Sequence, residues 1–168
     1  MIPHLETERL VLRESIERDL DDMAALYADG DVARFITFDG KAQSREYAWR
    51  MMATFRGHWA LRGYGMWALE EKGTGRCVGW CGPWFPEGWP SPEIGWTLAR
   101  PWWGKGLATE AARRALVYAR DHLKWPRAIH VINPLNLRSI AVAERLGSRR
   151  ESTWNRDGKE LLIYGQSF

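Results

Sequence analysis

The sequence predicts a mixed α/β fold in one domain, and three observations predict it. The chain has 168 residues, enough for one domain with a sizeable core. Apolar spacing along the chain switches repeatedly between strand and helix periods, in the order β-α-α-β-β-β-α-β-α-β-β. Between a strand and a helix stands RPWWGKGLATEAARRAL, Arg100 to Leu116, where two glycines bracket one lysine at the mouth of the helix. No internal repeat, linker or low-complexity segment interrupts this order.

The elements follow from local pattern. RLVLRES (Arg9–Ser15) alternates apolar and polar residues and predicts a first strand. IERDLDDMAALYAD then places Ile16, Leu20, Met23, Ala24, Leu26 and Tyr27 at helical spacing, with Gly30 as its stop. A second helix is expected from about Ser44, its N-cap, to Leu61, ended by Gly63 and Gly65. Three strands follow, GMWALEEK, RCVGWCGPWF and SPEIGWTLA; GTG marks a hairpin between the first two and PEGWPSP a turn-rich loop before the third. Leu107, Ala111, Ala115 or Leu116, Ala119 and Leu123 then make the apolar stripe of a helix. RAIHVI reads as a strand and LRSIAVAERL as a short helix stopped by Gly147. SRRESTW and ELLIYGQSF form a closing antiparallel pair around RDGK.

Composition narrows the function classes. The chain is 45% hydrophobic and 27% charged, with no apolar run long enough to span a bilayer. The N-terminal MIPHLETERL carries no secretory pattern, so a cytoplasmic setting is expected. Cys77 and Cys81 are spaced to share one strand face, and no histidine or further thiol lies close enough in sequence to make a metal site with them. The net charge of +3 suits an anionic ligand, but the basic residues are scattered without the block or arm expected of a nucleic-acid binder. Of eleven tryptophans, Trp80, Trp84, Trp89, Trp96, Trp102 and Trp103 crowd one third of the chain, which points to an aromatic-walled cleft beside ordinary core packing.

The glycine stretch suits an anion. A helix N-terminus carries unpaired N–H groups and the positive end of the macrodipole. Glycines there allow close approach, so the amides from Trp103 to Thr109 can hold a phosphate or pyrophosphate. A dinucleotide fingerprint is excluded because Thr109 stands at the third glycine, and the spacing does not match a P-loop.

EIGWTLARPWWGKGLATEA followed by NPLNLRSIAVAERLGSRRE resembles the GCN5-related N-acetyltransferase (GNAT) superfamily, and with ETERLVLRESIERDLDDMAAL the likeness extends over nearly the whole chain. The nearest branch by motif is that of ribosomal-protein N-terminal acetyltransferases. The resemblance implies a mostly antiparallel sheet flanked by helices and splayed between its fourth and fifth strands, here near Glu93–Ala99 and Arg127–Ile132. It implies acetyl-coenzyme A as cofactor. Main-chain groups of Trp96, Thr97 and Leu98 would pair with pantetheine, and the amides of Trp103, Gly104, Lys105, Gly106, Leu107, Ala108 and Thr109 would hold pyrophosphate. Asn136 and Ser139, from the family's N-x-x-S pattern, would face the thiol end. The superfamily loop usually opens with Gln or Arg three residues before its first glycine. Here that position is Pro101, beside Arg100, so the cradle starts after a residue with no N–H.

Acetyl transfer to an amine needs a neutral amine and a stabilised oxyanion. An α-amine with pKa ~7.7–8.0 is partly neutral at pH 7 and needs only a weak base, whereas lysine at ~10.4 needs more. Glu93 is the candidate base, because desolvation beside the tryptophans would raise its pKa; His130 on the neighbouring strand ranks second. Relatives that use a tyrosine acid carry it at the position of Ala143, so Ser139 is the available hydroxyl. A backbone N–H of the fourth strand would meet the oxyanion. Lys105 and Arg145 are within reach of phosphates but read as solvated cations. Trp80, Trp84 and Trp89 are expected to line the acceptor pocket. The expected acceptor is a peptide or protein N-terminal α-amine or a small amine, with no metal, nucleic acid or membrane partner, in a monomer or homodimer. The competing reading is an acyl-CoA-binding module or sensor without turnover.

Overall fold

The computed structural model describes residues 1–168. Eight strands form one sheet: β1 (Leu5–Glu6), β2 (Leu10–Arg13), β3 (Trp67–Glu71), β4 (Cys77–Trp84), β5 (Glu93–Leu98), β6 (Arg127–Ile132), β7 (Arg149–Arg156) and β8 (Lys159–Ser167). Their spatial order is β1-β2-β3-β4-β5-β6-β8-β7, and every neighbouring pair is antiparallel except β5 and β6. Five helices cover the sheet: α1 (Leu20–Ala28), α2 (Gly30–Ile36), α3 (Arg45–Arg62), α4 (Leu107–Asp121) and α5 (Leu137–Arg145).

Strand alternation sorts the side chains to two faces. On one, Leu10, Leu12, Trp67, Leu69 and Ile94 pack against Leu107, Ala111, Ala115 and Leu116 of α4, the stripe anticipated from sequence. On the other, Ala68 and Cys77 pack beneath Met23, Leu26, Tyr27, Val32 and Phe55 of α1 to α3. A smaller cluster holds Ala143 of α5 against Ile132, Leu162 and Tyr164. Ser44 caps α3 as expected, its hydroxyl accepting from Tyr47 N–H, and Gly63 ends the helix at φ +76°.

Two local expectations are corrected. Gly30 does not stop a helix; it begins α2. Asp29 terminates α1, and its side chain accepts from Asp31 N–H to cap α2, so one residue serves both ends. Cys77 and Cys81 do not share a face. A bulge, seen as a register shift opposite Leu69 and Glu70, inserts Val78 into β4, leaving Cys77 under α1 and Cys81 in the α4 core. Both thiols are free and buried, and Cys77 is pushed up to about 12 by burial.

The feature that positions the site is the fork between β5 and β6. These strands share one parallel bridge, Glu93 with Ile129, where Ile129 N–H donates to Pro92 C=O. A continued parallel ladder would next join Val131 N–H to Ile94 C=O. Instead Val131 N–H donates to Glu93 Oε1 at 3.0 Å, and His130 Nδ1–H donates to Ile94 C=O at 2.7 Å. Two side chains replace one backbone rung, and past them the strands diverge.

Candidate active site

The fork opens into a cleft of about 1040 Å³ between β5, α4 and α5, walled on its outer side by Val32, Phe35 and Ile36 of α2. Trp96, Thr97, Leu98, Trp103, Gly104, Gly106, Leu107, Ala108, Thr109, Asn136 and Ser139 all line it. Arg145 lines it too, with Arg113, Arg114 and Arg138 of the same two helices. Lys105 lies outside the wall: its ammonium sits 4.7 Å from the Trp102 ring centroid and its carbonyl accepts from Arg9 Nη1 at 2.8 Å. Arg9 is itself held by Glu110 Oε2, and Thr7 donates to Glu110 Oε1 at 2.6 Å, so the β1–β2 corner braces the loop.

Of the amides expected in the cradle, Trp103 N–H is excluded, because it donates to Arg100 C=O at 3.1 Å to close a single turn; those after it are free. None of the six consecutive N–H groups from Gly104 to Thr109 finds an acceptor within the protein; the first of α4 to do so is Glu110, on Gly106 C=O. Thr109 Oγ1 is buried without a partner in the same turn. Gly104 and Gly106 stand at φ +74° and +79°, conformations that other residues adopt only under strain. Free donors, a buried hydroxyl and a helix N-terminus fit a pyrophosphate.

Along β5 the main chain alternates. Ala99 N–H bonds to Val78 C=O on β4, and Pro83, which has no N–H, stands opposite Ile94. Thr97 therefore turns its main-chain groups to β4, while those of Trp96 and Leu98 face the cleft. Of the three residues expected to meet pantetheine through the backbone, these two are oriented for it. Trp103 Nε1–H donates to Leu98 C=O at 2.7 Å, and the Arg138 guanidinium covers the Trp103 ring.

A second cavity, about 510 Å³, lies beyond the fork. It takes in Trp80, Trp84, Trp89 and Glu93, and shares Phe35, Ile36, Trp96, Thr97, Asn136 and Ser139 with the first. Trp80 and Trp84 pack on Phe55 at 5.2 and 5.6 Å, and Trp84 stacks on His58 at 4.4 Å. Glu93 is buried; Trp89 Nε1–H donates to its Oε2 at 2.6 Å. Burial pushes its carboxyl up to about 7, against the opposing pull of the Val131 and Trp89 bonds. Each oxygen keeps a lone pair for a further proton or donor.

His130 takes another role. Ile94 C=O must accept, so Nδ1 carries the proton and Nε2 accepts from the Ser148 hydroxyl at 3.0 Å. Gln166 Nε2 in turn donates to Ser148 Oγ at 2.8 Å. Burial holds the imidazole down at about 4, so it is neutral and fully engaged at neutral pH. At the junction, Asn136 Oδ1 caps α5 by accepting from Ser139 N–H at 3.2 Å, and Ser139 Oγ has no protein partner.

Several lining residues carry no sequence signal of the site. Val32, Phe35 and Ile36 belong to the helix hidden by Gly30, and Arg34, Arg156 and Lys159 reach the second cavity from α2 and the β7–β8 hairpin. No local pattern marks them, because tertiary packing brings them in.

Comparison with known proteins agrees with this geometry. The model of the acetyltransferase (GNAT) domain matches residues 9–149. The Bacillus subtilis protein YkkB is 34% identical over 169 residues, spanning 95% of this chain and 93% of its own. The crystal structure of an acetyltransferase from Agrobacterium tumefaciens superposes with a TM-score of 0.87 at 29% identity, covering 100% of this chain and 96% of that one. The RimL ribosomal L7/L12 alpha-N-protein acetyltransferase, solved in complex with coenzyme A, shares the fold at a TM-score of 0.79 and 16% identity, over 98% of both chains. The chain belongs to the GNAT family and is an N-acetyltransferase.

Proposed function

We propose that the chain moves an acetyl group from acetyl-CoA directly to a primary amine in a ternary complex, the amine being a peptide or protein N-terminal α-amine or a small amine. The observation that carries this reading is the meeting of two cavities at Trp96, Thr97, Asn136 and Ser139, with free amides at one end and a buried carboxyl in the other. Bound in the first cleft, acetyl-CoA supplies a thioester carbon open to amine attack. The Gly104–Thr109 amides and Thr109 Oγ1 hold the pyrophosphate, and Trp96 and Leu98 align the pantetheine arm as an added strand. Glu93 takes the amine proton, directly or through one water, with a pKa matched to neutral pH. The cleft-facing N–H of Trp96 is the β5 donor available to the thioester oxygen, and Ser139 is the hydroxyl available to the departing thiolate.

The test is free-thiol release from acetyl-CoA against N-terminal peptides, amino acids, polyamines and aminoglycosides. Release driven by one class names the acceptor, and its slowing in Ser139→Ala assigns the hydroxyl. Tight acetyl-CoA binding without release by any amine would favour a binding module instead.

A further inference from the structure

We propose that the acceptor pairs an aromatic or branched apolar body with a carboxylate beside its amine, and that Arg34, Arg156 and Lys159 receive that carboxylate at the second cavity. The inference rests on the acetyl-transfer reading above and names the substrate class for that same site.

Size and wall come first. At about 510 Å³ the cavity has room for an amino acid or the first residues of a peptide. Tyr27, Tyr47, Phe55, Trp80, Trp84 and Trp89 line it, several in edge or tilted contact with each other. Such rigid rings favour an apolar or aromatic group over a long flexible polyamine.

Charge comes second. Three cations and two carboxylates line the cavity. Glu93 is buried with both oxygens engaged, and Glu87 is 99% exposed and paired to Arg62. Arg34 makes no ion pair, Arg156 has Asp157 at 3.8 Å and lies within electrostatic reach of Glu93, and Lys159 bonds the Phe38 carbonyl. Positive groups outnumber negative ones at the wall, which disfavours a polycation and favours an anion. Arginine adds the planar fork that fits a carboxylate in two bonds.

Position comes third. The Arg156 guanidinium lies 4.6 Å from the Trp89 ring centroid, and the same indole donates to Glu93. One indole separates the cation from the carboxyl that would receive the amine proton. A small molecule carrying both an amine and a carboxylate spans that interval.

The test compares kcat/KM, by thiol release, for L-phenylalanine, L-phenylalaninamide, the C-terminal amide of phenylalanyl-aspartic acid, whose side-chain carboxylate stays free, and spermidine. Phenylalaninamide keeps the ring and has the more readily neutral amine, but lacks the carboxylate. The expected result is that phenylalanine or the aspartate-containing dipeptide exceeds phenylalaninamide by about tenfold or more, the leader of the two distinguishing a free acid from an acidic chain end. In Arg156→Gln/Lys159→Gln the ratio of acid to amide falls by about tenfold, while the KM for acetyl-CoA serves as the internal control. Equal or better use of phenylalaninamide or spermidine overturns this inference and leaves acetyl transfer standing. Release by no amine of the wider panel overturns both.

Discussion

Val131 donates its backbone N–H to Glu93 Oε1 at 3.0 Å, in the place where a continued parallel ladder would have it reach Ile94 C=O. The carboxyl proposed as base thus also helps hold the fork open. Its burial follows from that position, because a side chain that substitutes for a sheet rung is enclosed by the sheet. His130 completes the exchange by taking the orphaned Ile94 carbonyl. Opening the cleft and tuning the carboxyl are consequences of one local rearrangement.

Glu93 and His130 act on stability with opposite sign. Glu93 is raised from 4.5 to about 7, so its contribution is full below pH 4.5 and is lost as pH rises through 7. His130 is lowered from 6.5 to about 4, so its contribution is full above pH 6.5 and is lost as pH falls through 4. Between those limits the two slopes offset each other. Glu93→Gln removes one of them, and the variant is expected to lose on the order of 2–3 kcal/mol more than wild type on acidification from about pH 6.5 to 4.5. Urea unfolding at the two pH values measures it; equal losses would show that the carboxyl is not desolvated.

The His130 chain makes a separate prediction. His130→Leu leaves Ile94 C=O and Ser148 Oγ–H without their partner and is expected to cost about 2–3 kcal/mol. Ser148→Ala costs less, because Nδ1 still bonds Ile94. Chemical denaturation of both variants checks the order, and the reverse order would place the weight of the chain on Ser148.

Gly104→Ala isolates the loop. An added Cβ meets nothing within 4 Å, so the cost is backbone conformation alone, about 1–2 kcal/mol. Relaxation of that strain swings the free amides, and the Kd for coenzyme A is expected to rise by about tenfold or more. Gly63→Ala at φ +76°, also with open space, carries the same strain far from the cleft and leaves that Kd unchanged. Calorimetric titration of both distinguishes a cradle from general destabilisation.

Much of this was legible because it is local. The Leu107 to Ala119 stripe, the Ser44 cap and the glycine loop are written in spacing and turn chemistry, and the tryptophan cluster did mark a cavity wall. What stayed hidden is where two readings of one residue compete. Gly30 signals a stop by propensity, yet Asp29 before it caps a new helix. The cysteine spacing implies one face unless a bulge intervenes, and a bulge depends on the partner strand. His130 resembled a base by type and position, and only the placement of Ile94, Ser148 and Gln166 reveals a staple. Arg156 and Lys159 enter through a hairpin whose own sequence says nothing of the cavity it overhangs.

The most direct measurement of the central claim is the pH profile of kcat/KM for wild type and Glu93→Gln with the best acceptor of the panel. The wild-type rate is expected to climb as pH rises through about 7, where the Glu93 carboxyl loses its proton. In the variant that limb disappears and kcat falls by roughly 10²-fold or more, with acetyl-CoA binding retained. A Glu93→Gln enzyme with the same limb and the same rate would contradict it and leave the amine's own ionisation as the only proton step at the site.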